Sequence, residues 1–213
     1  MPDLLNAILV LVMILNLFAL GSGSILSVIR IAAAQGVLLA ALPLLLHDRL
    51  SLPVILTALV AAALKGAVIP AIMKRSLRSV KIKREVEPRI GPMASVLIGA
   101  AATGAAVLLS PKIPTVGLES GGLIVAASIA TVLAGFIILT TRYKALTQVI
   151  GYLILENGIY VFGLLLVDAM PFVIEMGVLL DLFVGIFVIS IITNRINEAF
   201  SSMDTRRLVS LKE

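Results

Sequence analysis

Cysteine is absent from the 213 residues, histidine occurs once, aromatic residues make up 5% and charged residues only 14%. Without cysteine the chain alone builds neither a disulfide framework nor a thiolate-ligated zinc, iron–sulfur or haem site, so a redox centre working with it has to belong to a partner. The one histidine, His47, stands beside Asp48 and Arg49 in a connecting segment and forms no metal cluster by itself. No glycine-rich phosphate loop follows an expected strand, and no strands are expected at all. No cofactor and no metal site are therefore expected.

Apolar residues make up 60% of the chain, and mean hydropathy is +1.15, well above that of a water-soluble domain. A bilayer core about 30 Å thick needs about 20 mostly apolar residues per helical crossing. Such runs occupy residues 4–20, 25–46, 52–73, 92–109, 121–141, 145–167 and 172–194, separated by breaks rich in glycine, proline and charge. The pattern predicts an all-α integral membrane protein of about seven transmembrane helices, its first run being retained because it lacks the basic start and cleavage site of a signal peptide.

The net charge of +5 is explained by topology before nucleic acid, which is not an expected partner. The segment 74–91 carries Lys74, Arg75, Arg78, Lys81, Lys83, Arg84 and Arg89. Placing it in the cytoplasm with seven spans puts Arg30, Arg142, Lys144, Arg195, Arg206, Arg207 and Lys212 on the same side. Only Arg49 and Lys112 then lie outside, and Lys65 lies within a span. An external N-terminus and a cytoplasmic C-terminus are expected. The basic segment, which also holds Glu85 and Glu87, serves as a topology determinant, with contact to anionic lipid or a cytosolic partner as the second reading. Two regions are expected, 1–110 with four helices and 111–213 with three helices and a tail.

Ionisable groups inside a span are costly, and they usually face a bundle interior or a wet cavity. Lys65, in LVAAALKGAVIPAIM, lies too deep to snorkel to either surface. Glu156 is at the middle of the sixth run, where Gln148, Tyr152, Glu156 and Tyr160 recur every four residues as a polar stripe about 18 Å long. Asp181 lies between Gly177 and Gly185, which permit close approach of another helix on its face, and Glu175 lies about two turns nearer the outer surface. Burial disfavours the charged form of any such group and a nearby opposite charge favours it, a balance suited to proton transfer. Each group also has a plain structural reading, as an ion pair or hydrogen bond between helices.

These residues bring a resemblance with them. QVIGYLILENG at 148–158, EMGVLLD at 175–181, Lys65 followed by Pro70, and the closing RRLVSLKE are similar to the hydrogenase-4 component E family, membrane subunits of energy-converting [NiFe] hydrogenases. The last three helices also resemble the K-type subunit of respiratory complex I, with Glu156 and Asp181 at its two acid positions and Asp in place of the second Glu. The resemblance implies a bacterial or archaeal cell membrane and a place among antiporter-like and complex I H-type-like subunits. It further implies, through these, a cytosolic [NiFe]/iron–sulfur module. Glu156, Asp181, Lys65 and Glu175 would then extend a lateral proton or sodium path in a subunit with no activity alone, the alternative being a scaffold between its neighbours. An independent solute transporter is disfavoured, since no inverted repeat or broken-helix pair is evident.

Overall fold

A computed structural model of the chain describes residues 2–46, 52–79, 89–113 and 121–166. Every regular element among them is helical, as expected where lipid offers no partner for backbone N–H and C=O groups. Six helical stretches are long and apolar enough to cross a membrane: Asp3–Gly21, Ile25–Leu46, Val54–Arg75, Pro92–Lys112, Gly121–Thr141 and Ala145–Gly163. They coincide with the first six expected runs. The seventh, 172–194, lies outside the described residues, together with Glu175, Gly177, Asp181, Gly185 and the loop histidine His47.

Helix α1 covers Pro2–Gly21. The second crossing divides into α2 (Ile25–Ala40) and α3 (Leu42–Leu46), the division falling where Pro43 removes a backbone donor. The third crossing, expected as one uninterrupted helix, contains a π-helical turn. Helix α4 (Leu52–Ala63) passes through Leu64–Val68 in π geometry and resumes as α5 (Ile69–Ser79). The Ile69 N–H reaches back five residues to Leu64 O, and Pro70 follows at once. Proline would clash with the carbonyl four residues before it in a regular helix, so the wider turn accommodates it. Helix α6 is Pro92–Leu109, α7 is Gly121–Thr141 and α8 is Ala145–Gly163.

Helices α7 and α8 form an antiparallel hairpin whose seam has small residues on both sides. A Cβ added at Gly151 would stand 2.7 Å from Leu139 N and 3.0 Å from Gly135 O; one at Gly158 would stand 2.5 Å from Val132 N and 2.9 Å from Ser128 O. The two backbones therefore touch, as helices do in lipid where small side chains let dispersion act at short range. Around this hairpin α1 packs on α7, α2 and α6, while α2 packs on α8 and the π turn.

The core is split into two apolar clusters. One joins Leu20, Ile29, Met73, Ile138, Ile150 and Ile154; the other joins Leu9, Leu39, Leu42, Ile124, Ala130 and Val161. Along α1, α2 and α8 the two occupy opposite halves of each helix, leaving a layer between them in which polar residues are buried. Leu59, Met93, Leu97 and Leu108 point outward, where hydrocarbon is their natural solvent.

Candidate functional site

The layer between the apolar clusters holds two groups of polar side chains. In the first, Lys65 Nζ lies 3.1 Å from Glu156 Oε1 and donates to Asn157 Oδ1, also at 3.1 Å. The Tyr160 ring lies beneath the same ammonium at 5.2 Å. Lys65 is 9% exposed and Glu156 and Asn157 3% each, so the pair is shielded from bulk solvent. A buried lysine depends on such surroundings: a carboxylate for its charge, a carbonyl for a second donor, and a π face.

Local sequence explains the placement. The π turn inserts one extra residue where Lys65 stands, changing the direction in which its side chain leaves the helix. Gly36 on α2 faces it, since a Cβ there would come within 2.5 Å of Lys65 Cβ, so the lysine stem passes over bare backbone. On α8, Glu156 and Asn157 are successive residues, about 100° apart, and both reach one cation. Beside them Ile29, Pro70, Met73, Leu153, Asn157 and Lys65 line a cavity of about 20 Å³. That matches one water molecule, which needs about 10–15 Å³ and polar partners such as these two.

The structure thus brings Lys65, Glu156 and Tyr160 together and leaves the rest of the expected stripe elsewhere. Gln148 Nε2 donates to Arg142 O at 2.9 Å and secures the α7–α8 turn. Tyr152 is half-buried against the first apolar cluster.

Sequence reasoning missed three things here. The first is Asn157, a neutral neighbour overshadowed by the acid, for which the Glu-Asn-Gly string was the available signal.

The second is a further polar group in the same layer. Gln35 Nε2 on α2 donates to Asn16 Oδ1 on α1 at 2.7 Å and to Val12 O at 3.3 Å, and Asn16 Nδ2 donates to Thr131 Oγ1 on α7 at 2.9 Å. All three side chains are fully buried, with Thr131 Oγ1 donating onward to Ala127 O. Gln35→Leu is expected to lower stability by about 1 kcal/mol, the scale of interhelical hydrogen bonds in membrane proteins. Thermal unfolding in mild detergent measures this.

The third is Arg142, expected from the sequence only as a topology charge. It is 2% exposed and its Nη2 donates to Leu20 O at 2.8 Å, capping the C-terminus of α1 while standing at the C-terminus of α7. Burial lowers its pKa, though a guanidinium stays charged. Nearby, Arg89 N–H donates to Thr141 O at 2.7 Å and its guanidinium lies 4.8 Å from the Tyr143 ring. The end of the basic segment is thereby attached to the α7–α8 turn.

No protein-family profile matches the chain, and no solved structure matches it. Among curated proteins, hydrogenase-4 component E of Escherichia coli K12 is 24% identical over 151 residues, 70% of this chain and 68% of that protein. Its Shigella flexneri counterpart gives the same figures. This is a distant relation. The uncharacterized protein Rv0085 of Mycobacterium tuberculosis is 34% identical over 194 residues, 88% of this chain and 86% of that protein. The helices and the Lys65–Glu156 pair accordingly belong to a multi-pass membrane protein, and the chain is a member of the same family as mycobacterial Rv0085.

Proposed function

We propose that the chain is a non-catalytic membrane-arm subunit of a complex I-like, energy-converting hydrogenase-type redox complex, and that Lys65 and Glu156 form part of a lateral proton or sodium path. One observation carries this reading: a buried acid–base pair joins the third and sixth crossings between two apolar clusters. A pair of opposite charges is neutral as a unit. If one partner gains or loses a proton, the other becomes an uncompensated charge in a poor dielectric, and the change is felt by the next titratable group through space. Asn157, Tyr160 and the water-sized cavity supply donors and acceptors beside the pair. The Gln35–Asn16–Thr131 group extends the polar layer towards α1.

The distant likeness to hydrogenase-4 component E supports the setting. In this reading Asp181 is the next acid along the path and Glu175 leads from it towards the surface, Gly177 and Gly185 admitting a neighbouring helix. The chain then has seven spans, an external N-terminus, and regions 1–110 and 111–213, the latter of K-type character, in a bacterial or archaeal inner membrane. Its neighbours are antiporter-like and H-type-like subunits, with a [NiFe]/iron–sulfur module attached through them. Gentle purification from the native membrane tests the setting: nickel, iron and antiporter-like chains are expected to co-purify, whereas a solitary protein that transports a solute by itself would overturn it.

A second reading, a scaffold without ion transfer, is favoured by the glycine-lined α7–α8 seam, a device for packing helices. It expects ion translocation to survive neutralisation of Glu156.

A further inference from the structure

The cavity of about 20 Å³ that touches Lys65 and Asn157 extends from them in one direction. On α2 it is bordered by Ile29, Ala32 and Ala33, all of which precede Gly36, the residue that faces Lys65. On α5 it is bordered by Pro70 and Met73, which follow Lys65 towards Lys74 and the basic segment. On α8 it meets Leu153, which precedes Glu156 and lies nearer the α7–α8 turn where Arg89 is attached. Helices α2 and α8 run against the third crossing, so all three borders lie towards the end of the bundle that carries the basic segment. Met73 is the lining residue farthest along α5; it is 1% exposed, and Lys74 follows it at once. In the opposite direction the pair meets the Tyr160 ring and the second apolar cluster, in which Leu39 and Val161 are fully buried.

The same geometry bears on which ion the pair accepts. Glu156 Oε1 and Asn157 Oδ1, each 3.1 Å from Lys65 Nζ, already hold a cation between them, the tethered ammonium. A metal cation bound there would have to displace that ammonium and tolerate its repulsion at short range in a poor dielectric. It would also need a shell of oxygen ligands, whereas the cavity admits about one water and its other walls are apolar side chains. A proton needs no shell, only a donor and an acceptor within hydrogen-bonding distance.

We propose, resting on the reading of this pair as part of an ion path, that its ion is the proton and not sodium, and that protons reach it through this cavity from the basic end of the bundle. When Glu156 is charged with a proton, an Nζ–H bond of Lys65 breaks and an Oε1–H bond forms, leaving a neutral amine. The amine lone pair takes a proton from the cavity water, and that water recovers one from the basic end. One proton has then entered, Lys65 is an ammonium again and Glu156 is a neutral acid. Met73, an unbranched side chain that changes rotamer readily, separates the water from the basic end between such events.

The chain has no cysteine, so Ala32→Cys places a single thiol in the cavity wall, and Ala130→Cys places one in the second apolar cluster as a dry reference. Each full-length variant is moved into deuterated buffer in mild detergent, and conversion of S–H to S–D is followed by infrared absorption. The thiol at position 32 is expected to exchange at least about tenfold faster than the one at 130, as a site beside water does relative to one that must wait for a larger opening. Met73→Val should speed exchange at position 32 further, and Leu39→Val, on the other side of the pair, should leave it unchanged. Equal exchange at 32 and 130, or acceleration by Leu39→Val and not by Met73→Val, would overturn the route. For the ion, translocation per electron by the assembled complex is expected to be the same when potassium replaces sodium throughout. Translocation that stops without sodium, or a sodium-specific rise in the unfolding temperature of the chain that Glu156→Gln abolishes, would overturn the assignment to the proton. Failure of the underlying reading has a different signature: rapid exchange at position 32 together with translocation that Glu156→Gln leaves unchanged.

Discussion

Lys65→Met is expected to destabilise the folded chain by about 3–5 kcal/mol, and Lys65→Met combined with Glu156→Met is expected to recover most of that loss. The single change strips the Glu156 carboxylate of the cation at 3.1 Å, leaving a buried charge without its counter-charge, and it removes the donor to Asn157. The double change removes both charges and fills the site with flexible apolar side chains, a kind of replacement that is often neutral or stabilising. Asn157 still lacks its donor, so the double variant should lie within about 2 kcal/mol of the parent. Unfolding in mild detergent distinguishes the two cases. A double variant as unstable as the single one would mean that Lys65 and Glu156 contribute separately and are not a coupled pair. The same double variant matters for function, since it retains the helix packing while deleting both titratable groups.

Gly151→Val is expected to abolish the folded α7–α8 hairpin, with a cost of about 3 kcal/mol or more, at the upper end of what overpacking does in a core. The atoms nearest the new side chain are backbone, Leu139 N and Gly135 O, which have no rotamer to retreat into. Separating the helices also carries Glu156 and Asn157 away from Lys65. Gly104→Val and Gly122→Val provide the comparison, since a Cβ at either position meets nothing within 4 Å and both should behave as the parent does. The yield of monodisperse protein in detergent reports the difference. Comparable losses at all three positions would show that glycine is needed for some reason other than the seam.

What could be read in the sequence followed from cost. Six helical crossings were evident because uninterrupted apolar runs have few other solutions, and Lys65 and Glu156 stood out because charge in such runs is expensive. Their pairing was not readable in the same way. They are 91 positions apart, and no periodicity within one helix reports contact with another. The π turn had local signals in Lys65-Gly66 and Pro70, yet the apolar pattern continues across it and hides the extra residue. Asn16, Gln35, Thr131 and Asn157 are neutral and individually inconspicuous in a helix; only the fold aligns them in one layer. Arg142 shows the opposite case, a charge whose sidedness was inferred from sequence while its burial against Leu20 O depends on α1 and α7 ending together.

The glycines divide in a similar manner. Gly135, Gly151 and Gly158 read as generic packing residues, but their mutual register across α7 and α8 sets the height of Glu156 on α8 relative to α7. Packing and the candidate path are thus coupled physically: the seam that makes the scaffold reading attractive also positions the acid that the relay reading requires.

If Glu156 changes its protonation during turnover, the number of ions translocated per electron in the intact complex must depend on its carboxyl group, and Glu156→Gln removes that group. Glutamine is close in size, keeps a carbonyl oxygen for the Lys65 ammonium and cannot lose a proton at physiological pH. The expected result is an assembled complex with continuing electron transfer and at least about tenfold less translocation per electron, equivalent to about 1.4 kcal/mol or more on the coupling step. An unchanged ratio in a fully assembled complex would contradict it.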